Sequence, residues 1–167
     1  AATWLTRFLG EDLRLVAFDG THERVSAPQW TGATRAVTEF SDGFAILAIS
    51  EASLEDLNSR LARRLPMERF RPNIVLGGLD AYEEDKIHEL RLDGVCLRVV
   101  KPCIRCSITT TNQATGAVEG DEPLRTLKTY RWSKELLGIA FGQNLIVVDG
   151  AGKGLRVGDE LEIRWRD

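Results

Sequence analysis

From Pro66 onward the chain is written in short apolar runs divided by turn-forming pairs, and this punctuation constrains the fold more than any other feature. Arg69 to Leu76, Ile87 to Leu92, Val95 to Val100, Ile108 to Thr111, Leu145 to Val148 and Leu161 to Ile163 read as strands. Gly77-Gly78, Asp93-Gly94, Thr115-Gly116, Asp149-Gly150 and Gly158-Asp159 supply the turns, and Asp93-Gly94 between two apolar runs is a strong hairpin signal. Several short strands with this spacing imply a barrel or a sandwich. Pro123 to Arg131, carrying Leu124, Leu127 and Tyr130, predicts one or two helical turns beside the sheet.

The first half is organised differently. Trp4, Leu5, Phe8 and Leu9 fall on one face of a short amphipathic helix that stops at Gly10, and Leu13 to Phe18 reads as a strand. Asp19 to Asp42 is rich in Thr, Ser, Gly and charge with no sustained period, which predicts a long surface connection. Phe44 to Ile49 is a continuous apolar run of buried-strand length, and Ser50 after it is an N-cap for a helix. Leu54, Leu57, Leu61 and Leu65 carry the helical stripe, which Pro66 ends. That stripe is packing surface.

Composition narrows the function. The chain has 167 residues, enough for one domain with a proper core, with 43% hydrophobic and 28% charged residues. Lys and Arg total 22 against 25 Asp and Glu, so no global basic field exists to hold a nucleic-acid polymer. No apolar run approaches the ~20 residues of a membrane span, and no signal-peptide pattern opens the chain, so the expectation is a cytoplasmic protein. His22 and His88 match no metal-binding spacing and read as structural. Three cysteines make a poor disulfide framework.

Lys101-Pro102-Cys103-Ile104-Arg105-Cys106-Ser107-Ile108-Thr109-Thr110 is the richest window in chemistry. Its C-x-x-C spacing fits a redox dithiol poorly, because the motif leads into a β-rich segment and not a helix, and a zinc site lacks a second ligand pair. What remains is a thiol beside Lys101 and Arg105, whose charge favours the thiolate and thereby a soft metal centre. Burial of both cysteines as small hydrophobes is the structural alternative. In a second window, Arg69-Phe70-Arg71-Pro72-Asn73-Ile74-Val75, two guanidinium forks and an amide open an apolar strand. This is either an anion clamp or a strand end salt-bridged to Glu83-Glu84-Asp85.

Both windows, in this order, resemble the MOSC family, the C-terminal domain of molybdenum cofactor sulfurases, and in particular bacterial hydroxylaminopurine-resistance proteins and mitochondrial amidoxime-reducing components. The resemblance also rests on Ile49-Ser50-Glu51-Ala52-Ser53-Leu54, Glu84-Asp85, Glu122-Pro123-Leu124-Arg125-Thr126-Leu127, Phe141-Gly142-Gln143-Asn144 and Val157-Gly158-Asp159. It implies an α+β, mainly β fold: a MOSC-type β-barrel with a few peripheral helices. It further implies a molybdenum pyranopterin cofactor and reduction of hydroxylamines, amidoximes and N-hydroxylated bases. Electrons would come from an external donor of ferredoxin, flavoprotein or cytochrome type.

Cys106 matches the family's molybdenum ligand and catalytic residue, and Arg71, Asn73, Arg105, Thr109 and Thr110 match its pterin and phosphate contacts. Cys103 matches a common non-ligating cysteine, and Glu84 or Asp85 is a candidate local acid. The family is also described as binding pyridoxal phosphate. Residues 1–167 are expected to form a single MOSC domain, the C-terminal part of a longer protein without its N-terminal β-barrel region. The other functional expectation is a non-catalytic carrier of molybdenum cofactor or sulfur.

Overall fold

The computed structural model describes residues 1–166. Helix α1 (Ala2–Leu9) ends at Gly10 as its apolar spacing predicts. The residues after it differ from expectation: Leu13 to Phe18 forms no strand and most of it is exposed. A lone apolar run makes a strand only when a sheet edge receives its backbone donors and acceptors, and none does so here. The predicted surface connection contains a two-stranded ribbon, β1 (Arg24–Val25) with β2 (Val37–Thr38), and a single turn of helix, α2 (Pro28–Thr31).

The apolar run after Gly43 is β3 (Ile46–Ser50), followed at once by α3 (Glu51–Arg60). Ser50 caps that helix as expected, its Oγ accepting from Ser53 N at 3.0 Å. The helix stops before Leu61 and Leu65, the last positions of the leucine stripe. Asn58 turns the chain there, since its side chain donates to Leu65 O at 3.0 Å and accepts from Leu65 N at 2.8 Å. A side-chain amide that satisfies both backbone groups of one distant residue holds a bend more firmly than another helical turn would.

Three further strands follow before the thiol window ends. After a 3₁₀ turn at Met67–Arg69 comes β4 (Ile74–Leu76), shorter than the predicted Arg69 to Leu76 because Arg71 adopts φ 56°, which no strand residue does. Then β5 (Ile87–Leu92) and β6 (Val95–Ile104) form the predicted hairpin, with Asp93 and Gly94 both at positive φ as a tight two-residue turn requires.

The predicted strand at Ile108 is instead a 3₁₀ turn, Ser107–Thr110, in which both threonine hydroxyls donate back to carbonyls three residues earlier. Such back-bonding competes with a ladder and wins where no partner strand is adjacent. The turns expected after Pro123 are α4 (Leu124–Lys128). The chain closes through β7 (Trp132–Ser133), the long β8 (Gly138–Asp149) and β9 (Glu162–Trp165).

These strands form one sheet of order β4-β3-β8-β6-β5-β9, with β7 on the end of β8. The mainly β architecture with few helices is the expected one, and the sheet is an open half-barrel with edges at β4 and β9. All pairings are antiparallel except β3 with β4, which α3 connects.

Alternation along β3 sends Ala48 and Ile49 to opposite faces, so the sheet has a core on each. Ala48, Leu76, Ile87, Leu90, Leu97, Val99 and Leu145 fill one. Ile49, Leu57, Phe70, Leu127 and Phe141 fill the other, beneath α3 and α4. Phe70 and Phe141 are fully buried with ring centroids 4.6 Å apart. Burial of such a ring contributes roughly 2 to 3 kcal/mol, and this one fixes the residue directly before Arg71.

Candidate functional site

The residues of the second core carry the site. Arg105 follows the last residue of β6, and its backbone N donates to Ile139 O at 2.8 Å, extending the β6–β8 ladder past Ile104. Its guanidinium turns inward: Nη2 donates to Phe70 O at 2.7 Å and Nη1 to Cys103 Sγ at 3.2 Å, with Cζ 5.7 Å from the Phe70 ring. One side chain thereby joins the two chemically rich windows, since Phe70 precedes Arg71 and Arg105 precedes Cys106. Arg105 Nε is buried with no hydrogen-bond partner among the described residues.

Cys106 is the N-cap residue of the 3₁₀ turn, and its side chain is exposed. Its carbonyl accepts from Thr109 N at 3.3 Å and Thr109 Oγ1 at 3.0 Å, while Thr110 Oγ1 donates to Ser107 O at 2.7 Å. Thr109 and Thr110 are both buried, so the turn presenting the thiol is braced from below. Neither cation flanking the cysteines is bonded to the Cys106 thiol among the described residues. Lys101 Nζ lies 5.0 Å from the Trp30 ring, and Arg105 bonds Cys103.

Arg71 is exposed in a left-handed conformation and lines a cleft of about 580 Å³. Asn73 braces the strand beside it, its Oδ1 accepting from Leu47 N at 2.9 Å and its N donating to Leu47 O at 2.8 Å. Met67, Pro72 and Val75 give the cleft an apolar wall, and Thr111, Asn112, Gln113 and Gly116 form the wall opposite. Cys106 is not among the lining residues; it connects to that cleft through the Arg105–Phe70 bond. Of the six expected site residues, Arg71, Asn73 and Cys106 are exposed, with Asn73 Oδ1 bonded to Leu47 N, Arg105 is half-buried, and Thr109 and Thr110 are buried.

Glu84 and Asp85 lie on a 3₁₀ turn, Glu83–Lys86, and both carboxylates are committed to structure. Glu84, 1% exposed, accepts from Ser50 N at 3.3 Å and Ser53 Oγ at 2.8 Å, which ties it to the start of α3. Asp85 accepts from Arg131 Nη2 at 2.7 Å and Gln143 Nε2 at 2.6 Å. Glu84 is thus held inside the fold at the start of α3, whereas Asp85 is half-buried and lines a small cavity with Pro102 and Gln143.

The sequence missed the outer wall of the cleft. Residues 111–118 form a small hairpin, closed by the Thr111–Val118 bridge and by Asn112 N donating to Ala117 O at 2.8 Å. Glu119 at its end accepts from Asn112 Nδ2 and Arg69 Nη2, both at 2.9 Å, and these bonds hold its carboxyl below the usual range. The Thr115-Gly116 turn signal marked the hairpin's tip; no spacing rule joins Arg69 to a partner fifty positions along.

The profile of the family described as "MOSC domain" matches residues 35–162. Mitochondrial amidoxime-reducing component 1 of Homo sapiens is 40% identical over 170 aligned residues, covering 96% of this chain and 50% of that protein. Its counterpart in Mus musculus is 43% identical over 134 residues, 78% of this chain and 39% of its own length. Mitochondrial amidoxime reducing component 2 of Homo sapiens is 41% identical over 136 residues, 78% and 40% respectively. The chain thus spans half or less of the length of these curated relatives. Among the described residues no helix is long and apolar enough to cross a membrane. By its residues 35–162 and its likeness to these reductase components, the chain belongs to the MOSC family.

Proposed function

We propose that this chain is the MOSC part of a reductase of N-hydroxylated compounds, holding a molybdenum pyranopterin cofactor through Cys106 and Arg71. The observation that carries the reading is the Arg105–Phe70 bond, which sets an exposed soft thiol and an exposed hard guanidinium on one braced unit. Thiolate sulfur suits molybdenum, and a guanidinium fork suits the phosphate of the pterin tail. The buried, unpartnered Arg105 Nε beside both supports the fit.

In this reading Cys106 is the metal ligand and Arg71 the anion contact. Asn73, Arg105, Thr109 and Thr110 adjoin the cofactor, with the first two fixing the Arg71 and Cys106 backbones and the threonines bracing the turn. When bound, the cofactor supplies two-electron chemistry at the N–O bond; two electrons from an external ferredoxin, flavoprotein or cytochrome-type donor and two protons yield the amine or amidine and water. The complete activity belongs to a longer protein, of which residues 1–167 are a single C-terminal MOSC domain. Its three free cysteines suit a reducing compartment, cytoplasmic by the sequence reading, although the named relatives are mitochondrial.

The test is turnover of benzamidoxime with a chemical reductant by the full-length protein. Consumption that is lost in Cys106→Ala supports the reductase. A loaded protein that passes its cofactor to an apo-enzyme while leaving benzamidoxime untouched would establish the carrier role instead.

A further inference from the structure

The cleft at Arg71 has two walls from distant parts of the chain: residues 67–75 on one side and the 111–118 hairpin on the other. One ion pair joins them directly. Arg69 sits in the first wall, 4% exposed, and its Nη2 meets Glu119 Oε2 at 2.9 Å at the foot of the second. Glu119 Oε1 takes Asn112 Nδ2 at 2.9 Å and lies 3.6 Å from Arg63 Nη1, while Glu119 N donates to Thr110 O at 2.9 Å. Glu119 therefore gathers the hairpin and the first wall through its carboxylate and the thiol turn through its backbone N–H. Arg69 Nε is buried and unpartnered among the described residues, so this arginine is not there because its burial is comfortable.

We propose that Arg69 and Glu119 are positioning residues whose ion pair holds the 111–118 hairpin against the 67–75 segment and so sets the affinity of the Arg71 cleft for a phosphate-bearing ligand. The proposal rests on the reading of Arg71 given above. It does not depend on turnover.

Position and simple electrostatics make opposite predictions for one variant. Glu119→Gln removes a negative charge near the cleft, so if the pair acted only through its field, anion affinity would rise. If the pair positions the hairpin, affinity falls. Arg69→Met lowers affinity in either case and Arg69→Lys restores part of it.

The experiment is calorimetric titration of inorganic pyrophosphate into the ligand-free protein, with amide exchange over the hairpin followed in parallel. Wild type should bind and Arg71→Ala should not. Glu119→Gln should bind at least fivefold more weakly, with exchange at Gly116 and Glu119 at least tenfold faster and the β6 and β8 amides unchanged. Equal or tighter binding by Glu119→Gln, unaltered hairpin exchange, or no pyrophosphate binding by wild type would each overturn the proposal. Both effects in a protein that carries no molybdenum when made in a cofactor-competent host would keep the positioning role and discard the cofactor reading.

Discussion

Each of the three cysteines has a different environment, and their chemistry should separate accordingly. Cys106 is exposed, Cys103 is half-buried under Arg105, and Cys96 is buried, with burial pushing its thiol up. Alkylation by iodoacetamide, mapped by peptide mass spectrometry, should proceed in the order Cys106, Cys103, Cys96, with Cys96 at least ~10-fold slower than Cys106. Equal rates would contradict the exposed thiol turn. Glu89 makes a second residue-scale case. It is buried among Arg91, Arg98 and Arg164, and the Arg91 hydrogen bond foremost holds its carboxyl down to about 2. A depressed carboxylate contributes stability above its unfolded value, which is lost as pH falls through the folded one. Wild type should therefore weaken between about pH 5 and pH 2, by no more than ~3 kcal/mol from this group and less where the exposed arginines are screened. Glu89→Gln should be weaker at neutral pH and flatter through that window in urea denaturation.

At the scale of elements, the start of α3 shows how a signal visible in sequence can be completed by one that is not. Ser50 was legible as an N-cap because a small hydroxyl follows an apolar strand and precedes a leucine stripe. Glu84 was not, since its bonds to Ser50 N and Ser53 Oγ span more than thirty residues. Glu84→Ala would leave two buried donors unpaired and should cost about 2 to 4 kcal/mol in chemical denaturation; Ser53→Ala removes the hydroxyl that donates to Glu84 and accepts from Ser50 Oγ and Tyr82 N, and should cost about as much. Legibility failed in the same way at the site. Arg71, Asn73, Arg105 and Cys106 stand out by residue type within two short windows, and the strand–helix–strand unit that places the first of them follows from period alone. The 3₁₀ turn under Cys106 read as a strand because Ile108 and three threonines have β propensity, which back-bonded hydroxyls override in the absence of a neighbouring strand.

For the whole molecule, the turn signals and short apolar runs implied a mainly β architecture, and that is what forms. Whether the sheet closes depends on which edges find partners, and alternation along a strand carries no such information. The antiparallel pairing of β8 with β3 carries residues of both cores, and it requires Gly142. That residue has φ +81°, and a Cβ there would lie 2.6 Å from Ile49 Cγ1 and 2.9 Å from Ala48 O. Gly142→Ala combines backbone strain with a collision against a strand, so it should destabilise by more than ~1 kcal/mol and, acting on both cores, lower the midpoint of the single unfolding transition. A variant as stable as wild type would mean that the β3–β8 contact is looser than described.

The central claim is that Cys106 holds molybdenum on a turn braced against the Arg71 segment. It is tested most directly by molybdenum content per chain, measured by mass spectrometry on full-length protein from a cofactor-competent host, wild type beside Cys106→Ala. Because the side chain is exposed, the variant should fold as wild type does by circular dichroism. About one molybdenum is expected per wild-type chain and near none in the variant. Equal molybdenum in the two proteins, or none in either, would contradict it.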